Sequence, residues 1–222
     1  MDTLLRRRAM MAGGTPPAPL PYTPVDYIET DGVAYINTGV LGNVPISSEV
    51  AMTPVASTAN YYFLGCRKDS GATRLFVITI TPAKNIGFSY YSGLYANLSI
   101  ANSINNRTQM IVRARLRKGS QIISVKQAGE SQFSSSQQSI NSEVSTGLDM
   151  LLFAVNSAGT IVVSPSGARA KYAKIYSDFD FGTLVFDGVA CLYNGEYGLW
   201  DNVSNTFFGN SAGSGAFTGP SI

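Results

Sequence analysis

Gly195-Glu196-Tyr197-Gly198-Leu199-Trp200-Asp201-Asn202-Val203-Ser204-Asn205-Thr206-Phe207-Phe208-Gly209-Asn210 is the stretch whose reading decides the fold. Two short aromatic segments flank an Asp-Asn-x-Ser-Asn turn. Asn and Asp reverse a chain because they hydrogen-bond their own backbone and tolerate left-handed conformations. The stretch predicts the closing hairpin of an all-β domain, with a Gly/Ser-rich end at 213–219.

Upstream of it the chain reads as short strands divided by turn residues. Candidates are 35–40, 47–52, 61–66, 75–80, 85–90, 109–116, 122–126, 150–155, 170–176 and 183–191. The pattern is clear where Met110, Val112, Ala114 and Leu116 alternate with Gln109, Ile111, Arg113 and Arg115. Such a strand turns one face to the core and the other to water. The segment 129–146, rich in Ser, Gln and Asn, predicts a long exposed loop, and no helical pattern appears within the body. Ten or more strands without internal crossovers predict an antiparallel two-sheet sandwich of the jelly-roll kind. A chain of 222 residues suits one large β domain of this type.

Residues 1–21 differ from the rest. Asp2 and Thr3 are placed to cap a short helix through Leu4, Leu5, Arg6, Arg7, Arg8, Met10 and Met11, and Gly13-Gly14 then opens a Pro-rich extended linker. A helix of about ten residues is marginal alone in water, so this arm orders only against a partner or stays a solvated terminus. As a docking peptide, Leu4, Leu5, Met10 and Met11 are the apolar anchors and Arg6, Arg7 and Arg8 the charge. The division expected is therefore an arm at 1–21 and a sandwich domain at 22–222.

Hydrophobic residues make up 45% of the chain and charged ones only 14%. Its surface is consequently covered by neutral polar groups, which suit carbohydrate or protein contact. The formal charge is +2, and Arg6, Arg7 and Arg8 against Asp2 account for all of it. A neutral body argues against nucleic-acid binding by the domain, which needs a basic stripe to neutralise phosphates. No apolar run reaches the length of a membrane span, and Ala9-Met10-Met11-Ala12 is too short for the core of a signal peptide, so no membrane contact and cytoplasmic assembly are expected. Cys66 and Cys191 read as two reduced, buried thiols, or as a bridge if their backbones approach closely enough.

Three groups of residues resemble laminin-G-like, concanavalin A-like domains of phage and gut-bacterial proteins. At the end stand Gly198-Leu199-Trp200-Asp201, Phe207-Phe208 and then Asn210, Gly213, Gly215, Phe217, Thr218 and Gly219, with Trp where the family has Tyr and one extra residue after Asn210. At the start stand Tyr27-Ile28-Glu29-Thr30-Asp31-Gly32 and Tyr35-Ile36-Asn37-Thr38-Gly39-Val40. Between them lie Ala173-Lys174-Ile175-Tyr176, Leu184-Val185-Phe186-Asp187 and Cys191. The resemblance implies the concanavalin A-like jelly roll over about 25–219. A fold of this kind hosts lectins, glucanases and structural modules, so it assigns no activity by itself.

Catalytic chemistry is best judged by what is missing. The chain has no His, which excludes Ser-His-Asp and Cys-His arrangements and His-based metal sites. Glucanases that share this fold place alternate carboxylates on one strand face, and nothing here matches that pattern. The nearest spacing, Asp178-Phe179-Asp180, reads as a surface turn, with a calcium site as its other reading. No cofactor, resident metal or catalytic residue is therefore expected.

Binding candidates are aromatic. Tyr90, Tyr91, Tyr95 and Trp200, with the pair Tyr61-Tyr62, can supply a sugar-stacking platform or pack the sheet faces. Arg113, Arg115, Arg117 and Lys118 form a cationic row that serves either an acidic neighbour or the protection of a sheet edge. The resemblance implies a non-enzymatic virion protein, a head fibre, decoration or tail-associated component. Such a protein docks on a capsid or tail component through 1–21, displays the sandwich to a host-surface glycan, and forms a homo-oligomer, with a trimer among the forms expected. The alternatives are a carbohydrate-binding module or adhesin of a gut bacterium and a glucanase-like hydrolase.

Overall fold

The computed structural model describes residues 19–67, 74–89, 95–99, 101–140 and 147–220. Period-two alternation drives the chain into strands, because each strand can then bury one face against a second layer. In chain order these are β1 (Thr23–Pro24), β2 (Ile28–Thr30), β3 (Ile36–Leu41), β4 (Ile46–Thr53), β5 (Tyr61–Arg67), β6 (Arg74–Ile80), β7 (Asn85–Ser89), β8 (Tyr95–Ser99), β9 (Met110–Arg117) and β10 (Ser120–Gln127). There follow β11 (Ser134–Gln138), β12 (Asp149–Leu152), β13 (Ala154–Ser157), β14 (Thr160–Val163), β15 (Arg169–Tyr176), β16 (Leu184–Tyr193), β17 (Glu196–Asp201), β18 (Thr206–Phe208) and β19 (Phe217–Thr218). One short helix, α1 (Ala101–Asn105), links β8 to β9.

The strands form two sheets. The larger runs β11-β10-β9-β4-β15-β16-β17-β18, with β1 beside β16 and β2 between β15 and β19. The smaller runs β14-β13-β5-β6-β7-β8, with β12 joined to β3 and β5. Among the described residues, all pairings are antiparallel except that of β13 with β5. Phe63, Phe76, Phe88, Phe153 and Phe186 are fully buried between the sheets, with Ile28, Ile36, Ile46, Met52 and Leu64. Phe153 packs against Phe63 at 5.1 Å and Phe217 at 5.5 Å, and Phe76 meets Phe88 at 4.8 Å. Each such side chain contributes about 1.5–3 kcal/mol by leaving water. The all-β, two-sheet sandwich expected from the sequence is the fold observed.

Strands expected at 47–52, 61–66, 75–80, 170–176 and 183–191 all appear within two residues of those bounds. On β9, Met110, Val112, Ala114 and Leu116 are buried and the arginines between them are not. Four features differ from expectation. The segment 150–155 is two strands, because Phe153 adopts a left-handed φ of 65° and turns the chain from β12 into β13. The polar loop at 129–146 contains β11, held to β10 by its backbone ladder and by a 2.7 Å hydroxyl contact between Ser124 and Ser135. The body contains α1, whose five residues are too few to leave a periodic signal. Finally, β9 lies between β10 and β4, so its arginines do not guard a sheet edge. Positions 90 and 141–146 of these expectations fall outside the described residues.

The two ends of the domain are clasped together. Asp31 accepts hydrogen bonds from the backbone N–H of Val33 and Ala34 at 2.8 Å and from that of Ala216 at 2.7 Å. Asn210 donates to the carbonyls of Ser214 and Gly215 and accepts from Tyr35 N–H, while Phe217 pairs with Thr30 in the ladder of β19 on β2. Burial pushes the Asp31 carboxyl up, but the N–H groups of Ala34, Ala216 and Val33 outweigh it and hold the group below its ordinary value. A depressed carboxylate stabilises the folded state above the unfolded pKa, and that contribution is lost as pH falls through the folded one. Asp31→Ala is expected to cost about 1–2 kcal/mol at pH 6. Thermal unfolding of both proteins from pH 6 down to pH 2 checks this: the gap should close below about pH 4, and a pH-independent gap contradicts it.

Candidate functional site

Because inner positions are committed to the core, any site must be built from the outward positions of a sheet or from the loops. The closing hairpin builds one. Asn194 and Gly195 both have positive φ, 50° and 86°, which makes the two-residue connection that sets β16 against β17 in the register Val189 to Trp200 and Tyr193 to Glu196. The Asp201 carboxylate then accepts from Val203 N–H, Ser204 N–H and the Ser204 hydroxyl, closing the turn into β18, where Phe207 pairs with Trp200. This is the turn expected from Asp-Asn-x-Ser-Asn.

The result is a row of rings on the outer face. Trp200 stacks on Tyr22 at 5.2 Å and meets Tyr193 at 5.5 Å, and Tyr193 meets Phe207 at 5.2 Å. Tyr22, Tyr193 and Phe207 are half-buried, whereas Trp200 is only 9% exposed beneath them. Gly198 makes room for the row: a Cβ there would lie 2.7 Å from the Phe207 ring and 2.5 Å from the Phe208 carbonyl oxygen. Under the rings lies Cys191, whose thiol burial pushes up to about 12. Burial, followed by the nearness of Cys191 and Asp187, also pushes the Tyr22 phenol up.

Polar groups flank the rings in register. Across the outer face, Arg113, Glu49, Lys174 and Asp187 occupy paired positions on β9, β4, β15 and β16. Arg113 pairs with Glu49 at 2.6 Å, Tyr172 donates its hydroxyl to Glu49 at 2.8 Å, and Lys174 lies 3.5 Å from Asp187. Asn202 donates to Asp187 Oδ2 at 3.1 Å, while Oδ1 faces the Lys174 ammonium and accepts no hydrogen bond among the described residues. Burial, the Glu49 hydrogen bond and the Glu49 charge all push the Tyr172 phenol up. Rings beside such a charged and amide-bearing row can stack on a flat apolar face and hydrogen-bond its polar rim.

The other expected residues fall elsewhere. Tyr61 is buried, with its hydroxyl bonded to both Val55 backbone groups, and Tyr62 accepts from Arg67 at 3.0 Å. Tyr90 and Tyr91, the Tyr95 side chain, and Leu4, Leu5, Arg6, Arg7, Arg8, Met10 and Met11 lie outside the described residues. The Asp178 carboxylate accepts N–H bonds from Asp180, Gly182 and Thr183, so its role is to form the turn between β15 and β16. Cys66 and Cys191 are both buried and are not joined to each other by a disulfide. Of these four rings, sequence reasoning named Trp200 as a binding candidate and did not name Tyr22, Tyr193 or Phe207. The Asn-Gly pair at 194–195 is the signal that places Tyr193 on the Trp200 face.

No family model matches the sequence, and no curated relative matches it. Among solved structures, domains LG4-5 of the mouse laminin α1 chain superimpose with a TM-score of 0.50 at 11% identity, covering 73% of this chain and 44% of that one. This chain thus spans less than half the length of that laminin fragment. The LG1-3 region of the laminin α2 chain gives 0.47 at 11% identity, over 74% of this chain and 29% of that one. A CBM40 domain of the Ruminococcus gnavus IT-sialidase, solved with α2,3-sialyllactose, gives 0.43 at 18% identity, over 62% and 79%. The protein has the concanavalin A-like, laminin G-like jelly-roll fold.

The ring row depends on the bare backbone at Gly198. Gly198→Ala is expected to push β18 and Phe207 outward and to cost about 1–3 kcal/mol, the usual penalty of overpacking. Urea unfolding with near-ultraviolet circular dichroism of Trp200 checks it: an unchanged midpoint and spectrum contradict the assignment.

Proposed function

We propose that this chain is a non-enzymatic recognition module that binds carbohydrate on the outer face of its closing hairpin. The observation that carries the reading is the row Tyr22, Trp200, Tyr193 and Phe207. Sugars present flat C–H faces that stack on such rings, and hydroxyls that pair with groups such as Lys174, Asp187 and Asn202. A binding role without turnover is supported by the lack of His and by the engagement of Glu49, Asp178 and Asp201 in ion pairs or turns. A glycan array probed with the full chain tests the reading. Binding to a defined set of glycans is expected, and Phe207→Ala or Tyr193→Ala should weaken it about tenfold with the fold intact. Retention of full binding by both variants overturns it.

The finer reading is a virion component, a head fibre, decoration or tail-associated protein, fastened through 1–21. It is supported by the sequence resemblance and by the apolar and basic composition of Leu4, Leu5, Arg6, Arg7, Arg8, Met10 and Met11. Deleting 1–21 is expected to leave a folded, glycan-binding domain that no longer joins particles. Mass spectrometry of purified particles checks it, and undiminished incorporation contradicts the tether.

A further inference from the structure

Across β4 and β15 from the ring row, the same outer face carries cations interleaved with rings. The outward side chains of β9 after Ile111 are Arg113, Arg115 and Arg117, and three phenylalanines alternate with them. Phe133 comes from the turn before β11, and Phe179 and Phe181 come from the turn between β15 and β16. Arg113 lies 4.3 Å from the Phe133 centroid and 5.4 Å from that of Phe181, and Arg115 lies 5.9 Å from Phe181 and 5.1 Å from Phe179. Arg117 closes the series 4.2 Å from Phe179, and Lys126 opens it 5.1 Å from Phe133. Ser47 pins the β15–β16 turn over the sheet by donating its hydroxyl to the Asp178 carbonyl at 2.7 Å.

Among the described residues, ion pairing in this ladder is confined to one end. Arg113 is paired with Glu49. Arg115 and Arg117 form no ion pair among the described residues, and the nearby Asp178 carboxylate is turned into its own backbone. A guanidinium stacked on a ring keeps its in-plane N–H donors free, and the stacking holds it in the geometry that a carboxylate requires. Two arginines two residues apart on an interior strand, neither in an ion pair among the described residues, are therefore preorganised donors facing solvent.

Beside them is a cleft of about 510 Å³ lined by Val40, Leu41, Val44, Pro45, Tyr176 and Val185. Tyr176 meets Phe181 edge-on at 5.2 Å, so the cleft adjoins the ladder, and Leu41 stands 44% exposed at its rim. An aliphatic cleft next to paired cations suits a ligand with both an apolar anchor and acids.

We propose that this surface binds an extended acidic segment of a partner protein. Same-side residues of an extended chain repeat every 6.6–6.8 Å or so, the repeat that separates Arg115 from Arg117. Carboxylates at alternate positions thus meet the two arginines in step while a neighbouring aliphatic side chain enters the cleft. A saccharide offers no aliphatic side chain to that cleft. The chain's own arm has the wrong sign, since it carries Arg6, Arg7 and Arg8. The partner surface is separate from the carbohydrate reading of the ring row.

Fluorescence anisotropy with the full chain and a labelled heptapeptide, glutamate at alternate positions and leucine at one end, tests the proposal. Saturable binding that weakens with added salt is expected, lowered about tenfold or more in Arg115→Gln/Arg117→Gln and unchanged in Phe207→Ala. The exposed Arg117→Glu is a second variant that spares the stacked Arg115, and it should also lower binding. No saturable binding, or equal binding by wild type and both variants, overturns the proposal. Preference for dextran sulfate or for phosphatidylserine vesicles over the peptide overturns it as well, by giving the surface to a glycan or a membrane. Loss of glycan-array binding in Phe207→Ala with peptide binding retained separates the two surfaces.

Discussion

The structure depends on two sheets sharing one interior. Strand side chains alternate, so a single decision about which residues face inward commits every second position of each strand to Phe63, Phe76, Phe88, Phe153, Phe186 and their neighbours. The positions between are released from packing and can carry chemistry. That is why β9 has buried Met110, Val112, Ala114 and Leu116 and, on its other side, Arg113, Arg115 and Arg117. It is also why Leu199 belongs to the core while Trp200 belongs to the outer row.

A sandwich of this size also has to hold its chain ends, and here the two ends hold each other. The Asp31 turn and the Gly-rich stretch at 213–219 lie far apart in sequence but meet through Ala216 and Phe217. The sequence patterns at the two ends that resemble laminin-G-like domains thus form one contact in space. Phe217 then reaches Phe153, the residue whose left-handed turn redirects the smaller sheet, so the clasp and the core reinforce one another. Tyr22 and β1 add a second fastening, on the outer face, where they cover Trp200 and Cys191.

Strands with apolar alternation were legible in the sequence, because burial writes a period-two pattern directly into the residues. The closing hairpin was legible for a different reason: Asp201, Asn202, Ser204 and Asn205 carry turn chemistry that acts locally. β11 was not, since Ser134 to Gln138 bury no apolar face and are held by ladder bonds to β10. The break at Phe153 was not, since nothing local marks an aromatic residue for a positive φ. Of the ring row only Trp200 was legible, because Tyr22 reaches it across 178 positions of sequence and Phe207 across a turn.

By itself, the sequence determined the all-β class, the two-layer arrangement, the outward side of β9 and the neutrality of the body, because these follow from periodicity, turn residues and charge within short windows. Only the tertiary structure decided that the arginines of β9 lie inside a sheet and not at its edge. It alone seated Phe133, Phe179 and Phe181 between those cations, and it gathered Tyr22, Tyr193, Trp200 and Phe207 into one surface. Strand order and loop placement arise from which distant segments pair, and the free energy of that choice belongs to the whole packed interior and to no single stretch of chain.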